Sequence, residues 1–157
     1  MTPNPHQTIA AEHQHLDALV ALMKQEQQSL VTLDADELNS LTTQKNTLLA
    51  SLSGLSRQRH AALVAAGCEG SEAGMGPWLA AANDNGEVRE QWERMLDAAR
   101  AAKELNRVNG MLIARQLAHN QGVLNALRTP AGAQSTGVYG ASGQTLGSGP
   151  SKRYVIG

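Results

Sequence analysis

With one cysteine in 157 residues, the chain can form neither an intrachain disulfide nor a cysteine-based metal cage. Cys68 itself, set among Ala and Gly, reads as a small apolar filler. No run approaches the roughly 20 apolar residues that cross a bilayer, so no stable membrane insertion is expected. The opening residues, Met1 to Ala11, lack the basic start and apolar centre of a secretory leader, and a reducing cytoplasm is the expected setting. The formal net charge of −1 gives no overall attraction to nucleic acid or to an anionic membrane. Acids are missing beyond Glu104, where Arg107, Arg115, Arg128, Lys152 and Arg153 remain. Cations spread so thinly make no nucleic-acid footprint. Residues 1–50, by contrast, hold six acids against Lys24 and Lys45.

Phenylalanine is absent, and the only aromatics are two tryptophans and two tyrosines. Both tyrosines, Tyr139 and Tyr154, lie in the stretch from Thr129 to Gly157, which holds seven Gly, four Ser, three Thr and two Pro. Such a segment buries too little apolar surface to offset the entropy of ordering it. A flexible tail carrying isolated rings reads as a docking strap on a helical body. It points to a binding protein rather than an enzyme. The expected organisation is a body over residues 1–128 and a flexible Gly/Ser-rich tail over 129–157.

Three long segments of that body show helical spacing. In the first, from about His6 to Val31, one face carries Ile9, Leu16, Leu19, Met23 and Leu30. Asp34, with Glu37 three residues later, matches a capping box and predicts a second helix starting there. Its seam is Leu38, Leu41, Leu48, Leu52 and Leu55, with Lys45 and Arg59 at two in-phase positions whose charged heads are expected to reach water. Gly67 and Gly70 end it. In the connection from 67 to 86, Pro77 to Ala82 predicts a short helix, with Trp78 capping the end of the bundle. The third helix is predicted from Glu87 to Arg128, which at 1.5 Å per residue spans on the order of 60 Å. Val88, Trp92, Met95, Ala99, Ala102, Asn106, Asn109, Ile113, Gln116, Asn120, Val123 and Leu127 recur in it at alternating four and three, a coiled-coil seam. The expected fold is all-α: an elongated antiparallel bundle of three long helices, with the short connecting helix and the tail.

The third helix changes character midway. Glu87 to Glu104 holds nine charged residues in 18, enough for exposed pairs such as Glu90 with Arg94. Leu105 to Arg128 holds three in 24, all arginine. The second half adds Leu105, Val108, Met111, Leu112, Leu117 and Leu124 to the seam, an apolar surface too wide for one neighbouring helix to cover. Two readings fit. Either this is the central helix of the bundle, with its asparagines fixing register, or the surface from Leu112 to Leu127 awaits an amphipathic helix from a partner. The charge asymmetry favours a partner site.

No catalytic constellation is found. Glu12-x-x-His15 is half of a carboxylate-bridged di-iron pattern, but no other Glu precedes a His by three, so a solvated helix face is expected there. His13 and His15 point to different faces of a helix. Gly147 to Lys152 lacks the spacing and flanking elements of a phosphate loop. Neither cofactor nor metal is expected.

The run Glu104-Leu105-Asn106-Arg107-Val108-Asn109-Gly110-Met111-Leu112-Ile113 is similar to the Leu-Asn-x-x-Asn-x-x-Leu-Ile signature of FlgN-type flagellar export chaperones. Downstream, Val138-Tyr139-Gly140-Ala141-Ser142-Gly143-Gln144 resembles the tyrosine-glycine tail element of that family. The resemblance implies a cytoplasmic type III export chaperone for the hook–filament junction proteins FlgK and FlgL, gripping their C-terminal helical segments. The client surface it implies comprises Asn106, Asn109, Leu112, Ile113, Gln116, Leu117, Asn120, Val123, Leu124 and Leu127. Tyr139, with Gly140 and Gly143, is expected to dock on the export-gate membrane protein FlhA. The competing expectations are a structural coiled-coil adapter that self-associates through the third helix, and a chaperone for a different secretion substrate.

Overall fold

The computed structural model describes residues 4–82 and 86–129, and every regular element among them is helical. A 3-10 turn at Pro5–Gln7 leads into α1 (Ile9–Thr32); α2 (Ala35–Ala65) follows. A second 3-10 turn at Glu72–Gly74 runs into the short α3 (Met75–Ala81), and α4 covers Glu87–Arg128. The all-α expectation holds, with the predicted element order.

Local chemistry explains the boundaries. Leu33, at φ 61°, terminates α1 in the left-handed region that a leucine seldom adopts. Asp34 then caps α2, its carboxylate accepting from the Glu37 amide at 3.0 Å. The Glu37 side chain does not complete a reciprocal box but accepts from Ser29 Oγ at 2.7 Å, tying the hairpin of α1 and α2 at its tip. At the other end, Gly74 passes so close to the Glu69 carbonyl that a Cβ would lie 1.9 Å from its oxygen, which no side chain tolerates.

By internal packing the chain divides into two units, Met1–Ile113 and Ala114–Gly157. In the first unit Arg59 meets Glu12 while Lys45 meets Glu26, so α1 and α2 run antiparallel. Trp92 lies by Arg59 and Asn109 by Met23 and Glu26, so this part of α4 runs alongside α1 in the same direction. The core is Ile9, Leu16, Leu19 and Met23 of α1, Leu63 of α2, Met75 and Leu79 of α3, and Trp92, Met95 and Ala102 of α4. Trp78 and Cys68 pack half-buried against it. In the second unit the described residues are the rest of α4 and Thr129.

Three expectations about polar residues are corrected. The Arg59 head does not reach water; the residue is 2% exposed. Lys45 likewise turns inward, its Nζ 2.6 Å from the buried carboxylate of Glu26. Glu12 is not on a solvated face but fully buried. A buried carboxylate is stable only when paired and hydrogen-bonded, and these cations do that. No helix among the described residues is long and apolar enough to cross a membrane.

Candidate functional site

Two features stand out as candidates: a buried ion cluster in the first unit and an uncovered apolar stripe in the second.

The cluster is centred on Arg59. Its Nε and one terminal nitrogen donate to Glu12 at 2.9 and 3.0 Å, and its terminal nitrogens donate to Glu72 at 2.8 and 3.1 Å. The guanidinium also stacks 4.7 Å from the Trp92 ring centroid. Thr8 Oγ1 donates to Glu12 at 2.7 Å, and His60 Nε2 lies 3.1 Å from Glu72. Burial works against the Arg59 charge, but the hydrogen bonds to Glu12 and Glu72 outweigh it and hold the guanidinium above its ordinary pKa. At Glu72 burial pushes upward, yet the bonds to Arg59 and His60 prevail and hold its carboxyl below the usual range. The cluster ties α1, α2, α4 and the Glu72 turn together. Arg59 and Glu12 are almost wholly buried in it and bonded to each other, so the cluster fastens these elements together. Among the described residues no group of His, Cys, Asp and Glu is placed to hold a metal ion.

This cluster escaped the sequence reading, although a signal existed. Glu12 and Glu26 share the three-and-four spacing of Ile9, Leu16, Leu19, Met23 and Leu30. A carboxylate in a core phase on one helix, set against a cation in a core phase on the next, is the pattern of a buried pair.

The second feature is carried by α4 alone. Along its seam Trp92, Met95, Ala102 and Asn109 are buried. Past Asn109 the side chains emerge: Ile113, Val123 and Leu127 of the seam, and Leu117 and Leu124 outside it, are all exposed, Leu117 by 64% and Leu127 by 78%. Within Ala114–Thr129 only Gln116 is half-buried. A helix in water normally gains its stability by burying one face. This segment presents such a face without burying it.

The ten residues expected to hold a partner are thus not equivalent. Asn120 and the exposed aliphatics stand open, as does Asn106, while Leu112 and Gln116 are half-buried. Asn109 belongs to the interior of the first unit at 1% exposure, where its Nδ2 donates to the Met23 carbonyl at 2.8 Å and to Glu26 at 2.7 Å. It locks the register of α4 against α1, because two acceptors in fixed positions orient its amide. It is not an exposed contact. Tyr139, Gly140 and Gly143 lie outside the described residues. On the charged first half of α4 the expected pair forms, Arg94 to Glu90 at 2.5 Å, with Arg100 to Asp97 and Arg107 to Glu104 beside it.

The sequence matches the FlgN protein family over residues 1–147. It is 30% identical over 132 residues to the flagella synthesis protein FlgN of Salmonella typhimurium, covering 83% of this chain and 81% of that protein. Salmonella typhi has a protein of the same name that matches equally well. The Proteus mirabilis flagella synthesis protein FlgN is 27% identical over 140 residues, or 88% of this chain and 87% of its own. No solved structure gives a significant match. The family match over nearly the whole chain and these relatives agree: the chain belongs to the FlgN protein family.

Proposed function

We propose that this protein is a cytoplasmic flagellar export chaperone. It holds the C-terminal helical segments of the hook–filament junction proteins FlgK and FlgL on the open stripe of α4 and presents them to the export gate. The observation that carries this reading is the change in burial along one helix. The seam is buried at Trp92, Met95, Ala102 and Asn109 and open at Ile113, Asn120, Val123 and Leu127. An amphipathic client helix laid on that stripe covers it as α1 covers the seam upstream. Asn120 suits such a surface, since an exposed amide is satisfied by water when the site is empty and by a client when it is full. Leu117, Val123, Leu124 and Leu127 contribute roughly 1.5–3 kcal/mol each when buried, before the costs of association and ordering. A client held this way keeps its own polymerising surface hidden until export. Residues 129–157 form the docking strap, with Tyr139, Gly140 and Gly143 contacting FlhA once the client is loaded.

Calorimetric titration with a peptide from the C-terminal segment of a junction protein tests the reading. A one-to-one complex of micromolar or tighter affinity supports it. No heat with either junction protein, in a well-folded sample, leaves a helical adapter in its place.

A further inference from the structure

Past Asn109, α4 loses the supports that hold its first half. Asn109 is the last buried residue of the helix, fixed by bonds to the Met23 carbonyl and to Glu26, and within Ala114–Thr129 only Gln116 is half-buried. The first half also carries three ion pairs along its surface, Arg94 with Glu90, Arg100 with Asp97 and Arg107 with Glu104. No acid follows Glu104, so residues 114–128 can form no such pair along the helix.

Composition weakens the same stretch. A glycine inside a helix is about fivefold less favourable than an alanine, and α4 contains Gly110 and Gly122. A Cβ at either position would meet nothing within 4 Å, so close packing does not require either glycine. His119, Asn120, Val123 and Asn125 are weak helix formers as well. The anchored part of α4 supplies the nucleus, and propagation decides how far the helix extends. Propagation constants are only roughly 1–1.6 for good helix formers near 0 °C, and lower for these residues.

We propose that residues 114–128 are an order–disorder switch: the end of α4 opens and re-forms in the free chain, and client binding completes the helix. The helix running to Arg128 is the ordered member of that equilibrium. The inference rests on the reading of this stripe as the client surface and adds what the stripe does when no client is bound. In the open member Leu117, Leu124 and Leu127 no longer line one apolar face, so the free chaperone offers less surface for aggregation. Ordering the segment offsets part of the gain from burial, which lowers affinity without loosening the contacts and favours release.

Amide hydrogen exchange of the full chain, free and saturated with a C-terminal peptide of a junction protein, tests the proposal. In the free chain, amides of residues 114–128 are expected to be protected less than about tenfold, and those of 92–109 by about a thousandfold or more. Peptide is expected to raise protection of 114–128 by about a hundredfold. The variant Gly110→Ala/Gly122→Ala, which fits the open space, is expected to raise that protection in the free chain and to tighten peptide binding by about fivefold or more. Protection of 114–128 in the free chain equal to that of 92–109 overturns the proposal. So does a glycine variant with unchanged peptide affinity, because ordering then costs the complex nothing. Failure of the chaperone reading shows differently: no peptide binds, or it binds without protecting 114–128, while the free segment still exchanges fast.

Discussion

Arg59 grips Glu12 from 47 positions away in sequence with two parallel hydrogen bonds of 2.9 and 3.0 Å, both side chains almost wholly buried. The pair is the pivot of the first unit, because the same guanidinium also holds Glu72 and stacks on Trp92. Removing the cation alone strands a buried carboxylate. Arg59→Ala is expected to cost about 3–5 kcal/mol in urea unfolding, whereas Glu12→Met/Arg59→Met recovers most of that loss by removing both charges. A double variant no more stable than Arg59→Ala contradicts the pairing.

Glu72 sets the acid limit of that cluster. Its folded carboxyl lies below the ordinary value of 4.5, so its contribution is complete above about that pH and is lost as pH falls through the depressed folded value. Because the group is more than half exposed, the effect is modest. Chemical unfolding between pH 6 and about 3 is expected to fall less steeply at its acid end in Glu72→Gln than in wild type. Parallel curves rule out this group as the source of the acid slope.

Leu33 offers a test of opposite sign. It is the one described non-glycine residue at positive φ, and its side chain is largely exposed. Leu33→Gly relieves the left-handed strain at little loss of packing and is expected to raise stability by about 0.5–1 kcal/mol. A lowered melting temperature implies that the leucine makes a contact in solution that offsets its strain.

On α4, Leu117→Asp/Leu124→Asp is expected to abolish client binding in calorimetry while changing stability by about 0.5 kcal/mol or less, since neither side chain is buried. Marked unfolding of the double variant means that this face is already covered in the free protein.

For Tyr139→Ala, client affinity is expected to stay at the wild-type value while secretion of the client falls in cells. Weakened client binding places the tail earlier in the cycle, as part of the grip itself.

Much of the fold was legible in one dimension, because helix formation obeys local rules. Ile9, Leu16, Leu19, Met23 and Leu30 recur at helical spacing, and all are buried. Asp34 announced the start of α2, and α4 covers the predicted Glu87–Arg128. The uncovered stripe was foreshadowed by its loss of charge after Glu104, since a wide apolar surface on a long helix demands more cover than one neighbour supplies.

The polar interior was decided only by the tertiary structure. Whether Arg59 lifts its head to water or buries it depends on what stands opposite, and periodicity along α2 does not show Glu12 approaching from α1 and Glu72 from a turn. The same holds for the asparagines. Asn106 and Asn109 sit three residues apart in one signature, yet Asn106 is exposed while Asn109 is buried against Met23 and Glu26. Sequence alone determines which residues share a face of a helix, because that follows from 3.6 residues per turn. Whether a face meets a neighbour or water depends on where the other helices end, and that is a property of the assembled chain.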